Sequence, residues 1–95
     1  HPQLKLCLDI GHVNAYSAVS AEDWLKMWAP QLSHFHIHNN DRSWDSHSAL
    51  NCGTIPMKEF LLLADKLCPT ASYTLELTEA ADSIRWLLEE LPWND

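Results

Sequence analysis

Apolar residues in this chain occur in short runs, and three of the runs lead directly to residues that can bind a metal ion. These are residues 4–8, followed by Asp9; residues 32–37, followed by His38; and residues 73–75, followed by Glu76. A strand that is covered on both faces has a nearly continuous apolar sequence rather than an alternating one. The pattern therefore predicts three buried strands, at residues 4–9, 35–38 and 72–77.

Three other segments repeat apolar residues at helical spacing. The first follows Ser20, whose hydroxyl can cap a helix, and ends at Pro30; the second begins near Pro56 and ends at Cys68. Thr78 is the candidate cap of the third. The apolar faces predicted for the three helices are Trp24, Leu25 and Trp28; Phe60, Leu61, Ala64 and Leu67; and Ile84, Leu87, Leu88 and Leu91.

The alternation of strands and helices predicts an α/β fold with a parallel sheet. Strands joined by helices pair in parallel through right-handed crossovers, so their carboxyl ends lie on the same side of the sheet. In barrels of this class that side carries the active site. Four side chains should converge there by topology alone: Asp9, His36, His38 and Glu76.

Three histidines alternate along the second strand. His34, His36 and His38 therefore share one face of it. His36 is the best placed to reach the rim, and we predict it as the one metal ligand of the three. The alternative for the other two is a hydrogen-bonded structural role. His38, at or above the rim, is a candidate substrate contact.

Two further pairs have both a functional and an ordinary interpretation. Asp9 and His12 can be a ligand pair, or an Asx turn beside a surface histidine. Asp45 and His47 lie in a polar segment, residues 39–53, that is too rich in Asn, Asp and Ser to be anything but a loop. They can be ligands, or solvated loop residues. A loop of this length is usually functional or disordered.

Glu76 is the most informative of the acidic residues. A carboxylate at the end of an apolar run is poorly solvated, and an unpaired charge there would cost several kcal/mol. It needs a cation, a proton or an arginine. Taken together, the candidates supply oxygen and nitrogen but no sulfur, which suits a divalent zinc, manganese, cobalt or magnesium ion.

Composition narrows the class of protein. The chain has 13 Asp and Glu against 6 Lys and Arg, and its basic residues form no stripe, so nucleic-acid binding is not expected. The three cysteines have no CxxC spacing, which indicates neither a disulfide framework nor a thiolate zinc site and fits a reducing cytoplasm. No apolar stretch approaches the roughly 20 residues of a membrane span.

Because the chain has 95 residues and begins at His1 almost directly with a strand, we interpret it as a piece of a larger protein.

The ordered motifs resemble the xylose isomerase-like TIM barrel superfamily. The motifs are Asp9-x-x-His12, His36-Ile37-His38-Asn39-Asn40-Asp41-Arg42, Asp45-x-His47, Leu50-Asn51-Cys52-Gly53-Thr54-Ile55 and Leu75-Glu76. This superfamily joins sugar and sugar-phosphate isomerases and epimerases with abasic-site nucleases of the endonuclease IV type. The resemblance implies that residues 1–95 are the last three βα units of a TIM (β/α)8 barrel, incomplete as it stands, which needs the rest of the barrel.

The resemblance also implies roles for individual residues. Asp9, His36 and Glu76 match metal ligands shared by the epimerases, and Glu76 also matches an acid/base carboxylate. His12 matches a substrate contact in the epimerases and a zinc ligand in the nuclease. Arg42 matches a substrate contact of ketose 3-epimerases.

In the three-metal nuclease, Asp45 and His47 match zinc ligands. Two positions depart from the family pattern: Asn39, where the family usually has Asp, and Asn51-Cys52-Gly53, where it has Gly-Glu-Gly.

Three functional hypotheses follow from the resemblance. The first is a sugar or sugar-phosphate isomerase or epimerase that uses a divalent ion and a glutamate acid/base on a small carbohydrate. The second is an abasic-site phosphodiesterase, and the third is a non-catalytic barrel remnant, to which Asn39 and Cys52 lend weight. We expect the complete protein to be an enzyme and the piece alone to be inactive.

Overall fold

Three parallel strands form a single sheet in a computed structural model that describes residues 5–77 and 80–91. The strands are β1 (Leu6–Asp9), β2 (Leu32–Ile37) and β3 (Ser72–Leu75), and β2 lies between the other two. The parallel pairing confirms the α/β fold with partial TIM barrel units that the sequence predicts. Asp9, His36 and Thr74 are in register across the sheet.

Within residues 5–77 and 80–91, four α-helices connect or follow the strands. They are α1 (Ile10–Tyr16), α2 (Ala21–Trp28), α3 (Met57–Leu67) and α4 (Ala81–Glu90). The Ser20 hydroxyl accepts a hydrogen bond from the N–H of Asp23, so the predicted cap of α2 is confirmed. Pro30 lies in a short 3-10 turn, Ala29–Gln31, that directly follows α2. Thr78, the predicted cap of the last helix, lies outside the described residues.

The sequence analysis did not predict α1. This helix begins directly after β1, and the carboxylate of Asp9 is its N-cap, accepting a hydrogen bond of 2.9 Å from the N–H of His12. The Asp9-x-x-His12 spacing is thus a helix start as well as a candidate ligand pair. Seven residues are too few for a clear helical period.

The two faces of the sheet differ in chemistry. Leu8, Phe35 and Ile37 are buried against the helices, and the Phe35 ring stacks on Tyr73 and meets Phe60 edge to face. The other face carries His34 and His36, both partly exposed. The alternation that the sequence predicts for β2 is therefore present, with aromatic and aliphatic packing on one face and imidazoles on the other.

Helix α4 packs differently from the prediction. Ile84 and Leu88, predicted on its inner face, are 46% and 64% exposed, whereas Ser83 is fully buried. The Ser83 hydroxyl accepts a hydrogen bond of 3.2 Å from the N–H of Leu50, so α4 rests on the long loop through a polar contact. Leu87 and Leu91 pack against the core as predicted.

In the part of the chain that the structure describes, no helix has the length and apolar character needed to cross a bilayer.

Candidate metal centre

Asp9 stands at the carboxyl end of β1 and uses one oxygen for two hydrogen bonds. Its Oδ1 accepts from the N–H of His12, which begins α1, and lies 2.7 Å from Nε2 of His38. Because a carboxylate only accepts, Nε2 of His38 carries the proton of this bond. The neutral form of His38 then has its lone pair on Nδ1, on the far side of the ring.

The His38 ring is closely enclosed. His47 stacks on it with a centroid distance of 3.8 Å and an interplanar angle of 1°, and His38 itself is 0% exposed. Gly11 also lies against the ring, and a Cβ at that position would stand 2.0 Å from Cε1 of His38. Only glycine leaves room for the ring at this point. Such enclosure favours a ligand or positioning role for His38 over the substrate contact predicted for it.

The long loop brings Asp45 and His47 to the same place. Nδ1 of His47 lies 2.8 Å from the carbonyl oxygen of Glu76, and since a carbonyl only accepts, Nδ1 is the donor. Nε2 of His47 therefore has its lone pair free in the neutral ring, and it lies 3.5 Å from Oδ2 of Asp45. A histidine whose other nitrogen donates to a carbonyl is oriented in the way that metal-binding histidines usually are.

Glu76 follows β3 and reaches the same cluster from the other edge of the sheet. Its N–H donates to the carbonyl of Ile37, which holds the backbone against β2. One carboxylate oxygen, Oε1, lies 2.7 Å from Nδ1 of His36, but without the alignment of a hydrogen bond. His36 and Glu76, both predicted as ligands, are therefore in direct contact.

Three buried polar atoms of this region lack a hydrogen-bond partner: Nδ1 of His38, Oδ1 of Asp45 and Oε1 of Glu76. Buried polar atoms are nearly always paired, so three unpaired acceptors in one cluster need an explanation. A cation supplies one, because it would satisfy imidazole and carboxylate atoms together. The residues present therefore fit a divalent ion.

Among the residues that the structure describes, two groups of side chains are compact enough to hold such an ion, and His38 belongs to both. One consists of His38, Asp45 and His47, and the other of Asp9, His38 and Glu76; within each group the potential ligand atoms lie within 4.8 Å of one another. Nitrogen and oxygen donors without sulfur suit zinc, manganese, cobalt or magnesium.

The charges of the cluster act on Asp9 and His38. Burial opposes ionisation of Asp9, but the hydrogen bonds from His38 and from the His12 N–H outweigh it and lower the pKa of Asp9 from 3.8 to about 2. Burial likewise disfavours a charged His38, yet the hydrogen bond to Asp9 and the charges of Asp9, Asp45 and Glu76 raise its pKa. Without a metal ion, the charge of Asp9 therefore favours the protonated form of His38.

Other predicted site residues belong to neither of the two groups. His12 is exposed, with its Nδ1 3.7 Å from Oδ2 of Asp45. Arg42 is exposed, has a left-handed backbone (φ 78°), and lines a cavity of about 190 Å³ that contains no residue of the two groups. His34 bonds the hydroxyls of Ser72 and Thr74 at 2.5 and 2.7 Å, which agrees with the structural alternative for this residue.

The sequence analysis ranked His36 as the ligand of the second strand, whereas the ion-sized groups contain His38. The role of His36 as a ligand stays a prediction, with Glu76 as its observed partner. Three residues that support the cluster were also missed as such: Gly11, Asn39 and Asn40. Only Gly11 carried a signal, since a glycine beside a candidate ligand often marks a close approach.

Comparison with known proteins identifies the family. A family model described as "Xylose isomerase-like TIM barrel" matches residues 1–92. The chain is also similar to "Uncharacterized protein MJ1614" of Methanocaldococcus jannaschii, with 34% identity over 58 residues, or 61% of this chain. That match spans 22% of the relative's length. No solved structure matches the chain.

The family match over nearly the whole length agrees with the order of the motifs along the chain and with the parallel sheet. The chain belongs to the xylose isomerase-like TIM barrel family.

Proposed function

We propose that this chain carries part of the active site of a metal-dependent sugar or sugar-phosphate isomerase or epimerase. The observation that carries the proposal is the buried Oε1 of Glu76, which lies 2.7 Å from Nδ1 of His36 without forming a hydrogen bond and stands beside Asp9 and His38 at the carboxyl rim of the sheet. A carboxylate held in this way can bind a cation and also exchange a proton with a bound substrate. A metal-dependent isomerase that moves a proton next to a carbonyl needs both abilities at one place.

Each residue would contribute a separate part of the chemistry. Asp9, His38 and Glu76, with His36 in contact with Glu76, would hold a divalent ion. When bound, that ion would polarise the carbonyl and hydroxyl oxygens of a ketose.

Glu76 would act as an acid/base, moving a proton on and off the carbon next to the carbonyl. The predicted substrate contacts, His12 and Arg42, are both exposed and free to meet a substrate. A second acid/base carboxylate is expected outside residues 1–95.

The second group of potential ligands favours an alternative function. Asp45 and His47 lie with His38 in an ion-sized cluster, and in an abasic-site nuclease of the endonuclease IV type these two residues would be zinc ligands. Against this alternative stands a net charge of -7, because phosphate backbones are bound by clustered Lys and Arg. We therefore rank the isomerase or epimerase first.

The third hypothesis, a non-catalytic remnant, rests on Asn39 and Cys52. The long loop of residues 39–53, which we call the site loop, begins with Asn39. The side-chain amide of Asn39 makes four hydrogen bonds to Asn40, Leu50 and Ile55, so it has a structural role in this chain. Cys52 is exposed and belongs to neither potential ligand group. Neither residue therefore argues for lost turnover.

Glu76→Gln in the full-length protein is the decisive variant. The change preserves shape but removes a ligand charge and a proton acceptor, so turnover of a ketose panel with Mn²⁺ or Zn²⁺ should be abolished. Glu89→Gln, the same change at an exposed position of α4, is the matched control and should behave as wild type. If Glu76→Gln retains more than about a tenth of the rate, a barrier increase below roughly 1.4 kcal/mol, the catalytic role of Glu76 is excluded. Cleavage of an abasic duplex by the wild type, without ketose turnover, would establish the nuclease instead.

A further inference from the structure

The side chain of Asn39 is buried and uses every one of its polar atoms. Asn39 is 1% exposed and stands one residue after His38. Its amide nitrogen donates to the carbonyls of Leu50 and Ile55 at 2.8 and 3.1 Å. Its amide oxygen accepts from the N–H groups of Ile55 and Asn40 at 3.1 and 2.9 Å. These four bonds define the orientation of the amide, since each partner can act in only one way.

The groups that Asn39 holds lie on both sides of the turn that ends the site loop. Leu50 comes three residues after His47, and Ile55 comes just before α3. The backbone of Asn39 adds a two-way bridge to Ser48, with N···O distances of 3.0 and 2.8 Å. Asn39 therefore ties the stretch after Asp45 and His47 to the end of β2.

The neighbours of Asn39 complete this arrangement. Asn40, also fully buried, donates from Nδ2 to the carbonyl of Gly11 at 2.7 Å and so links the loop to α1. Gly53 packs directly on the Asn39 amide, where a Cβ would lie 2.3 Å from Oδ1, and its φ of 154° also disfavours a side chain. The backbone at Gly53 therefore leaves no room for a side chain between the loop and the Asn39 amide.

We infer that Asn39 is a positioning residue, whose amide fixes the site loop so that Asp45 and His47 face His38. The inference rests on the proposed function only in taking Asp45 and His47 as ion ligands. A carboxylate at position 39 would keep the two accepted bonds and lose both donated ones. It would also set a negative charge against the carbonyl oxygens of Leu50 and Ile55. An Asp at this position, common in the family, therefore does not suit the loop of this chain.

The test compares Asn39→Asp with Asn51→Asp in the full-length protein. Both variants replace an amide by an acid in the same loop, but Asn51 is exposed and makes no bond to another segment among those described. Gly53→Ala is a second variant, because its methyl would push on the Asn39 amide from the loop side. Two quantities are measured: hydrogen exchange of the backbone N–H groups of residues 50–55, and the affinity for Zn²⁺ alone by calorimetry.

Asn39→Asp and Gly53→Ala should each accelerate exchange in residues 50–55 and weaken Zn²⁺ binding by at least about tenfold, the effect of leaving one buried carbonyl unpaired. Asn51→Asp should match the wild type in both measurements. Faster exchange with unchanged Zn²⁺ affinity would overturn the positioning role, and so would no change in either. If Asn39→Asp does not fold, Gly53→Ala decides by the same two outcomes. Neither readout requires turnover, so an inactive wild type would refute the proposed function and leave this inference standing.

Discussion

Gly11 offers a direct test of the geometry around His38, because any side chain there would occupy the space of the imidazole ring. A Cβ on Gly11 would lie 2.0 Å from Cε1, 2.1 Å from Nδ1 and 2.6 Å from Nε2 of His38. The ring is fully buried and stacked on His47, so it cannot move without breaking that packing. Gly11→Ala must therefore displace His38 or shift α1 away from the sheet.

The change in the free energy of unfolding caused by Gly11→Ala is the difference between a gain in helix propensity and a packing penalty. Ala is favoured over Gly in a helix by about 1 kcal/mol. Displacing the ring breaks its bond to Asp9, and a hydrogen bond to a charged group contributes about 1.5 to 3 kcal/mol. Moving α1 instead carries the penalty of overpacking, also about 1 to 3 kcal/mol. Because either movement alone would relieve the overlap, only one of the two penalties applies. After subtraction of the helix preference for Ala, we expect a net loss of about 0 to 2 kcal/mol in the free energy of unfolding.

The assay is urea denaturation of the metal-free, full-length protein in a double-mutant cycle with His38→Ala. Once the ring is gone, Gly11→Ala meets no obstacle and should be neutral or stabilise the protein by up to about 1 kcal/mol. The coupling between the two positions should therefore be about 2 kcal/mol. An equal cost of Gly11→Ala with and without the His38 ring would refute the contact and, with it, the position of His38 in the site.

Three further predictions concern charge, metal content and packing. In the metal-free protein, the Asp9–His38 pair should stabilise the fold most between about pH 4 and 6.5. Its contribution declines on acidification as Asp9 protonates toward its lowered pKa of about 2, and it declines on alkalinisation through the raised pKa of His38. His38→Ala should therefore flatten the dependence of the free energy of unfolding on pH, measured by urea denaturation. A protein with alanine at both Asp45 and His47 should keep about one ion per chain by elemental analysis if it is an isomerase or epimerase, and loss of all bound metal would favour the nuclease. Phe35→Ala, which empties the space between two aromatic rings, should cost about 3 to 5 kcal/mol by denaturation, and a loss under about 1 kcal/mol would contradict the burial of that ring.

The main elements of the fold could be predicted because they depend on local patterns. The parallel strands are short apolar runs, and Ser20 and Pro56 mark the starts of α2 and α3 in ways that need no long-range information. The burial predicted for all three strands was wrong for β1 and β3, whose residues are mostly exposed because each has a neighbouring strand on one side only among the described residues. Helix α1 could not be recognised, since it is short and its cap, Asp9, is the same residue that suggests a ligand. The inner face of α4 was misassigned at Ile84 because its actual contact is polar and involves a residue 33 positions away in the sequence, at Leu50.

The candidate site was predictable in its location but not in its detailed membership. Parallel topology alone brings Asp9 and Glu76 to one rim. Strand periodicity does not tell whether His36 or His38 belongs to the ion-sized groups. His38 follows the last residue of β2, and its ring is covered by His47 from the long loop. That stacking depends on the Asn39 amide network, whose partners lie 11 and 16 residues away and leave no periodic signal.

The double use of Asp9 determines which substitutions can be interpreted at that position. Alanine would remove the helix cap together with the candidate ligand, and loss of an N-cap alone costs about 0.5 to 2 kcal/mol. A weakly folded Asp9→Ala protein would therefore reveal nothing about metal binding. Asparagine caps helices as well as aspartate does, and it presents an amide oxygen in place of the charged carboxylate. Asp9→Asn is thus the substitution that keeps the helix cap and removes the negative charge of the candidate ligand.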